Sequence, residues 1–286
     1  MISIIICSKT KQLSRLFLDN IKNTIGTSYE LIMVDNSNGT YSICEAYQIG
    51  IEKSTGQFWC FMHDDIIFYS NNWGLQVLDI FKNNPKIGLV GIAGAEIKTK
   101  MASAWWDCDS IFKHIHIIQH FPDKKKELIS LGWQYENQIK DVVVIDGVFM
   151  VAIKDQRFSF KNVNLGFHNY DLFISAYYHN LNYKIVVTNS VLLEHLSFGN
   201  VNKKWVESAC TFYKSYNFLL PLKTAKIDDN LLTKLELRNG YNFMQKLVDN
   251  KLYKAFFIFW CQIFRIKFFS IYHWKILQLL FQKSLK

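Results

Sequence analysis

Three short clusters of polar side chains each follow a run of apolar residues near the start of the chain. The clusters are Cys7-Ser8-Lys9, Asp35-Asn36-Ser37 and His63-Asp64-Asp65. Their carboxylates, amine, hydroxyls and imidazole can ligate a hard cation, hydrogen-bond a polar ligand or accept a proton. These positions are therefore the first candidates for a ligand site.

The elements that must position these clusters alternate between strands and helices. Short apolar runs rich in β-branched residues predict buried strands at 2–7, 30–34 and 57–62. Apolar residues at helical spacing predict helices at 10–25 and 42–53. This alternation indicates βαβ units and a parallel sheet. Since ligands of such sheets bind beyond the carboxyl ends of the strands, we expect the three clusters to converge there.

The rest of the chain continues the α/β pattern around one long insertion. Further strands are predicted at 87–93, 142–145, 148–153, 184–187 and 191–194, and further helices at 71–84, 171–179, 203–219 and 228–249. Residues 98–140, rich in Trp, His and charge, are predicted to be irregular. Insertions of this kind in α/β enzymes often cover the active site.

Motifs and composition argue against several classes of protein. Neither G-x-G-x-x-G nor G-x-x-x-x-G-K follows the first strand, so a dinucleotide site and a P-loop are not expected. The net charge is +9, but the first 250 residues carry 26 basic against 24 acidic residues. A nucleic-acid-binding protein would place its charge on the folded domain, so no nucleic-acid partner is expected. The six cysteines form no C-x-x-C pair, and no signal peptide is recognised, so we expect a cytoplasmic protein.

Six segments, in order, resemble the family 2-type glycosyltransferases with the nucleotide-diphospho-sugar transferase (GT-A) fold, and a bacterial branch in particular. They are Ile4-Ile-Ile-Cys-Ser8, Ile32-Met-Val-Asp-Asn36, Phe61-Met-His-Asp-Asp-Ile66, Asp146-Gly-Val-Phe-Met150, Gly166-Phe-His-Asn-Tyr-Asp-Leu172 and Glu194-His-Leu-Ser-Phe-Gly199. The resemblance implies a GT-A catalytic domain over 1–220, with a Rossmann-like, mostly parallel sheet flanked by helices. Residues 221–286 would form a C-terminal helical extension.

The resemblance implies a metal-dependent, inverting glycosyltransferase. Such an enzyme moves a sugar from a nucleotide-diphosphate sugar to a glycan or lipid-linked glycan, as in the synthesis of bacterial surface polysaccharide or lipooligosaccharide. A divalent cation, Mn²⁺ or Mg²⁺, would neutralise the charge that develops on the leaving diphosphate. The family usually has Asp-x-Asp at the metal motif, whereas the first position here is His63.

The resemblance also assigns roles to individual residues. Asp65, at the end of a buried strand, and His195 are expected to bind the metal. Asp171 is the expected general base, which takes the proton of the acceptor hydroxyl. Phe167, His168 and Tyr170 would form the wall around it. The expected nucleotide-sugar contacts are Ser8, Lys9, Asp35, Asn36, His63, Asp64, Asp146 and Gly147.

Each of these assignments has a structural alternative. The aspartates of the metal motif could cap the following helix, and Asp35 could begin an Asx-turn. Asp171 could be a helix N-terminal carboxylate stabilised by the dipole. Asp107-Cys108-Asp109 is a literal Asp-x-Asp, which we interpret as a solvated loop or an acceptor contact. His114, His116 and His120 lack the cysteine or carboxylate that would complete a zinc site at typical spacing.

Two alternative functions stay open at this point. A nucleotidyltransferase acting on sugar phosphates shares the parallel sheet and the carboxylate–metal chemistry. It would normally show a Gly-rich loop after the first strand, which Ser8-Lys9-Thr10-Lys11 lacks. The other alternative is a non-catalytic protein that binds a sugar nucleotide, against which the joint presence of Asp65, Asp171 and His195 argues.

The segment 251–286 combines many aromatic residues with seven basic residues and no acidic one. Its longest uncharged run before Arg265 is Ala255 to Phe264, about half of the ~20 residues that span a bilayer. We therefore expect an interfacial helix on an anionic membrane surface, peripheral on the inner face of the cytoplasmic membrane. The alternative is a terminal helix packed on the catalytic domain or on a second subunit, so a homo-oligomer stays open.

Overall fold

A computed structural model describes residues 1–123, 125–199, 201–224 and 227–284. The strands are β1 (Ile2–Ser8), β2 (Tyr29–Asp35), β3 (Phe58–Met62), β4 (Ile66–Phe68), β5 (Ile87–Gly91), β6 (Ala93–Ala95), β7 (Ile97–Lys98), β8 (Lys113–His120), β9 (Lys126–Leu131), β10 (Ile139–Val142), β11 (Val144–Ile145), β12 (Phe149–Ile153), β13 (Lys184–Thr188), β14 (Leu193–His195) and β15 (Leu222–Lys223). The α-helices are α1 (Arg15–Thr24), α2 (Ile43–Lys53), α3 (Trp73–Asn83), α4 (Tyr170–Asn180), α5 (Lys203–Tyr216), α6 (Asp229–Asp249), α7 (Tyr253–Ile266) and α8 (Ile271–Ser284).

The main sheet has seven strands in the order β10-β13-β5-β12-β3-β1-β2. Five of these strands run in one direction, whereas β10 and β12 run antiparallel to their neighbours. The predicted mostly parallel sheet is therefore confirmed. In the register of β1 and β2, Ser8 pairs with Asp35. The first two polar clusters accordingly meet at the same edge of the sheet.

Helices cover both faces of this sheet because its strands alternate between two apolar cores. In β1, Ile5 faces one core with Tyr47 of α2 and Phe173 of α4. Its neighbours Ile4 and Ile6 face the other core with helices α1 and α3. Ser42 and Glu45 form a capping box that begins α2, a local signal that satisfies the first free backbone N–H groups of the helix.

A second sheet has the order β11-β6-β8-β14-β4, with β9 added beside β8. The prediction that residues 98–140 are irregular is therefore wrong for β8, β9 and β10. In β8, Ile115 and Ile117 alternate with His114 and His116, so the apolar signal of a strand is weak. Strand β14 lies between β4 and β8, which places His195 beside Ile66 and Gln119.

The C-terminal helices share a third apolar core with α5. The side chains of Phe256, Phe259 and Ile263 on α7 are buried there. The predicted single interfacial helix is two helices, α7 and α8, separated by the turn at 267–270. Strand β15 pairs with β7, so the C-terminal region begins by adding a strand to the preceding part of the chain. The domain boundary at residue 220 stays a prediction.

Candidate active site

The side chains of His63, Asp65 and His195 meet beyond the end of β3. Nδ1 of His63 lies 3.4 Å from Nε2 of His195 and 3.7 Å from Oδ1 of Asp65. The same carboxylate oxygen lies 3.6 Å from Nε2 of His195. Among the described residues, these three side chains form a group that could hold a metal ion.

The spacing of these atoms suits a bound cation. With metal–ligand bonds of about 2.1 Å, neighbouring ligand atoms lie about 3.0–3.4 Å apart. The observed separations are slightly wider, so small side-chain movements would bring all three atoms into one coordination shell. Two imidazoles and one carboxylate suit a transition ion such as Mn²⁺ better than Mg²⁺, which prefers oxygen ligands.

The electrostatics of the group also favour a cation. Burial raises the pKa of Asp65, but the polar side chains of His195 and Ser197 beside it and the charge of His63 outweigh burial, so the pKa lies well below its usual range. Burial, followed by the charge of His195, lowers the pKa of His63. Near neutral pH the group therefore contains an ionised carboxylate and a neutral His63 imidazole, the protonation states that bind metals.

Asp64 points to a different partner from Asp65. Its Oδ2 accepts a hydrogen bond of 2.5 Å from the hydroxyl of Ser8, which is fully buried at the end of β1. Asp64 therefore ties β3 to β1, whereas Asp65 lies with the two histidines, and its role as a metal ligand stays a prediction. His63, which the sequence assigns to nucleotide-sugar binding, belongs to the group that could hold a metal ion.

Asp171 lies in the first turn of α4, close to Asp146. Burial, followed by the charge of Asp146, raises the pKa of Asp171 to about 7. Its Oδ1 accepts a hydrogen bond of 2.8 Å from the backbone N–H of Leu172, a helix N-terminal contact that by itself lowers the pKa of a carboxyl group. A carboxyl group that titrates near neutral pH suits general base chemistry.

Asp146 is held from two sides. Its Oδ2 accepts a hydrogen bond of 2.8 Å from Nε1 of Trp105, and its Oδ1 accepts one of 2.8 Å from the backbone N–H of Val148. A Cβ atom on Gly147 would lie 2.3 Å from the hydroxyl oxygen of Tyr170. Glycine is therefore required at position 147 for α4 to approach this strand end.

Tyr170 and Gln119 each contact a histidine of the site, and neither contact was predicted from the sequence. The hydroxyl of Tyr170, predicted only as a wall residue, lies 2.8 Å from Nε2 of His63. Oε1 of Gln119 lies 3.1 Å from Nδ1 of His195. No sequence signal marks Gln119, because it belongs to the stretch predicted to be irregular and is 76 residues from His195.

The predicted nucleotide contacts near β2 have structural partners as well. The Oδ1 atom of Asp35 accepts a hydrogen bond of 2.9 Å from the N–H of Ser37, which is the expected Asx-turn. Asn36 is buried, and its amide bonds both backbone groups of Tyr41 at 2.9 Å. Lys9 and Asp35 are exposed beside it. The roles of these residues in nucleotide binding stay predictions.

The rival metal motifs have other partners. Asp107 accepts a hydrogen bond of 2.7 Å from the backbone of Ala104, and Asp109 pairs with Arg238 at 2.6 Å. Each of the three histidines of β8 contacts a different residue: His114 contacts Glu96, His116 contacts Ser130 and His120 contacts Glu194. Neither set therefore forms a common metal site.

The family comparison identifies the class of enzyme. A family model described as "Glycosyltransferase like family" matches residues 3–218. The chain belongs to this family, and the protein is a glycosyltransferase. The resemblance found in the sequence is thus confirmed, and the family assignment argues against the nucleotidyltransferase alternative.

Solved structures give two further likenesses. The crystal structure of A197 from STIV resembles this chain with 12% sequence identity and a TM-score of 0.38. The likeness covers 69% of this chain and 86% of that protein. GalNAc-T7, solved with UDP, GalNAc and Mn²⁺, is 11% identical, with a TM-score of 0.46. The likeness to GalNAc-T7 covers 87% of this chain and 56% of that protein. No curated protein sequence matches the chain.

Proposed function

We propose that this glycosyltransferase is metal-dependent and inverting, and that it uses a nucleotide-diphosphate sugar as donor. The observation that carries the proposal is the joint position of two groups. Three side chains that could ligate a metal lie beyond β3, and a carboxyl group with its pKa raised to about 7 lies in the first turn of α4. The hydrogen bond between His63 and Tyr170 joins these two groups.

In this proposal, one set of residues acts on the leaving group and another residue acts on the nucleophile. His63, Asp65 and His195 would hold a divalent cation, and the donor set favours Mn²⁺ over Mg²⁺. The cation, when bound, would neutralise negative charge on the leaving diphosphate. Asp171 would accept the proton of the acceptor hydroxyl as that oxygen attacks the anomeric carbon from the opposite side. Attack from the opposite side inverts the configuration at that carbon.

The neighbouring side chains would position the donor. Asp146 carries a second negative charge beside Asp171 and is fixed by Trp105. Ser8 and Asp64 close the edge between β1 and β3, and Asp35 and Lys9 stay exposed at the same edge for contacts with base and ribose. These assignments follow the order of the six matched segments along the chain.

A donor panel tests the proposal. The purified chain is incubated with UDP-, GDP- and dTDP-sugars, each with Mn²⁺, with Mg²⁺ or with EDTA, and release of nucleoside diphosphate is measured. We expect turnover with one class of donor, faster with Mn²⁺ than with Mg²⁺, and none with EDTA. Anomeric configuration of the product, read by NMR, reports inversion. Turnover that is unaffected by EDTA contradicts the metal dependence, and retained configuration contradicts the role of Asp171.

The surface of α7 and α8 supports peripheral attachment to a membrane. We define the basic–aromatic face as the exposed residues Phe257, Ile258, Phe264, Phe268, Phe269 and Trp274 together with Lys254, Arg265, Lys267 and Lys275. Phe268 and Phe269 lie at the turn between the two helices and are 66% and 87% exposed. None of the described helices is both long and apolar enough to cross a bilayer.

The turn that presents these two phenylalanines is held by its own hydrogen bonds. Nε1 of Trp260 donates to Nδ1 of His273 at 3.1 Å, and Nε2 of His273 lies 3.1 Å from the carbonyl oxygen of Lys267. The opposite side of α7 packs on the third core. One side of α7 is therefore packed, whereas the basic–aromatic face is exposed. We propose that the basic–aromatic face binds an anionic membrane at the cytoplasmic side, where the acceptor is a glycan or lipid-linked glycan.

A further inference from the structure

We propose that Gln119 is a positioning residue that fixes the proton of His195 on Nδ1, so that Nε2 is free to ligate a cation. The inference rests on the proposed metal dependence and deepens it. Gln119 lies on β8, and in the pairing of β8 with β14 it is the partner of His195. The two side chains are therefore held side by side by backbone pairing.

The orientation of the Gln119 amide follows from its other contacts. Its Nε2 donates hydrogen bonds to two backbone carbonyl oxygens, that of His120 at 2.8 Å and that of Ser197 at 2.7 Å. A carbonyl oxygen can only accept, so the NH₂ group must lie on that side. The amide oxygen is then the atom that lies 3.1 Å from Nδ1 of His195.

The protonation of His195 follows from the orientation of the amide. An amide oxygen can only accept a hydrogen bond, so Nδ1 of His195 must carry the proton. In the neutral ring, Nε2 then has the lone pair, and this atom lies 3.6 Å from Asp65 and 3.4 Å from His63. Metal-ligating histidines generally depend on such a partner at the other ring nitrogen.

His63 lacks an equivalent constraint. The partner of its Nε2 atom is the hydroxyl of Tyr170, and a hydroxyl can either donate or accept. The tautomer of His63 is therefore free to adjust, whereas that of His195 is set by Gln119. Gln119 also ties the chain after His195 to β8 through Ser197, and this second, purely structural contribution must be separated from the first.

Two substitutions at position 119 separate the contributions. Gln119→Met keeps the length of the side chain but loses the acceptor and both donors. Gln119→Glu keeps an acceptor for the Nδ1 proton but loses both donors. Mn²⁺ affinity, measured by calorimetry without any donor sugar, is expected to fall about 10–100-fold in Gln119→Met and to stay within a few-fold of wild type in Gln119→Glu. Gln138→Met is the control, because the side chain of Gln138 also hydrogen-bonds the backbone, here as the acceptor from the N–H groups of Gln134 and Tyr135, away from the site.

A measurement on the wild-type protein keeps the inference testable if a variant does not fold. Long-range ¹⁵N–¹H spectra of metal-free, ¹⁵N-histidine-labelled protein distinguish the two tautomers, and His195→Asn identifies the signal among the eight histidines. We expect the Nδ1–H tautomer for His195. An Nε2–H tautomer, or equal Mn²⁺ affinity in wild type and Gln119→Met, would overturn the inference. If the wild type binds no Mn²⁺, the proposed metal dependence fails, and the tautomer alone decides the role of Gln119.

Discussion

The hydroxyl of Tyr170 lies 2.8 Å from Nε2 of His63, and this contact joins the first turn of α4 to the residues that follow β3. Asp171 is the next residue after Tyr170, so the same helical turn carries the proposed base and supports the proposed metal ligands. The close approach depends on Gly147, where a Cβ atom would collide with the Tyr170 hydroxyl. The same segment of backbone would therefore position both the proposed metal ligands and the proposed base.

The first prediction concerns Asp65. Asp65→Ala removes the carboxylate of the three-residue group, so we expect Mn²⁺-dependent turnover to fall by at least about 10³-fold, about 4 kcal/mol of transition-state stabilisation, while the circular dichroism spectrum is unchanged. Asp109→Ala is the matched control, because it belongs to the literal Asp-x-Asp and pairs with Arg238 at the surface. Full activity in Asp65→Ala, or equal losses in both variants, would exclude the proposed site.

The second prediction concerns Asp171 as base. Asp171→Asn is nearly isosteric but cannot accept a proton, so donor affinity should persist while transfer falls by about 10²–10⁴-fold. The pKa of Asp171 is raised to about 7, and only the ionised form is a base. Wild-type kcat should therefore rise with pH through about 7 and then level off. A variant that retains this pH profile, or loses donor binding together with transfer, contradicts the assignment.

The third prediction concerns the effect of the raised pKa of Asp171 on the pH dependence of stability. An aspartate has a pKa of about 3.9 in unfolded chains, so between about pH 4 and 7 the unfolded state of this protein has lost a proton that the native Asp171 retains. The contribution of Asp171 to the free energy of unfolding should therefore fall with rising pH across this window, by at most about 1.4 kcal/mol per pH unit. In EDTA, the melting temperature of Asp171→Asn relative to wild type should rise from pH 4 to 7 and then stay constant. A difference in melting temperature that is independent of pH would show that the pKa of Asp171 is not raised in the native protein.

Much of the fold follows from local sequence signals. The β-branched runs of β1, β2 and β3 are short and bounded by polar residues, and the capping box at Ser42 marks the start of α2. Since parallel strands end at one edge, the meeting of Ser8, Asp35 and His63 is predictable without knowledge of any distant contact. Strand β8 is different, because its alternation includes histidines and its stability depends on pairing with β6, β9 and β14.

The parts of the site that were not predicted depend on contacts between distant positions. Gln119 meets His195 only because β8 and β14 are adjacent and in register, and neither strand carries a signal for the other. The choice between Asp64 and Asp65 depends on which carboxylate the buried hydroxyl of Ser8 bonds. Periodicity predicts that a residue lies at a strand end, but the partner across the sheet decides which way its side chain points.

The fourth prediction concerns the attachment of α6 to the loop before β8. The buried carboxylate of Glu236 accepts hydrogen bonds from the backbone N–H groups of Lys100 and Met101, at 2.5 and 2.7 Å. Glu236→Ala leaves both backbone donors without their acceptor, one of them fully buried, so we expect a loss of roughly 2–5 kcal/mol in the free energy of unfolding. The same loop carries Trp105, which bonds Asp146, so activity should fall as well. Glu207→Ala, at an exposed pair with Lys203, should change stability by less than about 0.5 kcal/mol in the same urea titration.

The fifth prediction concerns the basic–aromatic face of α7 and α8. Removal of residues 251–286 would also remove the buried side chains of α7, so exposed positions give the cleaner test. The double variant Phe268→Ser/Phe269→Ser should weaken binding to liposomes by at least about tenfold, since each fully buried Phe contributes roughly 1.5–3 kcal/mol. The matched control is Tyr135→Ser/Phe218→Ser, which removes two aromatic rings that are 73% and 74% exposed outside this face.

The second part of the membrane experiment tests the contribution of the basic residues to binding. Each basic residue near an anionic leaflet contributes roughly 1 kcal/mol, so binding should rise with the fraction of anionic lipid and fall with added salt. Lys254→Gln/Lys267→Gln should reduce that salt dependence without removing the aromatic contribution, since both side chains are exposed on α7 or directly after it. Two processes could cover this face, membrane binding and self-association, and only the first depends on lipid charge. Flotation that is equal for wild type and both double variants, or a stable dimer in lipid-free buffer that dissociates in Phe268→Ser/Phe269→Ser, would assign the face to a second copy of the chain instead.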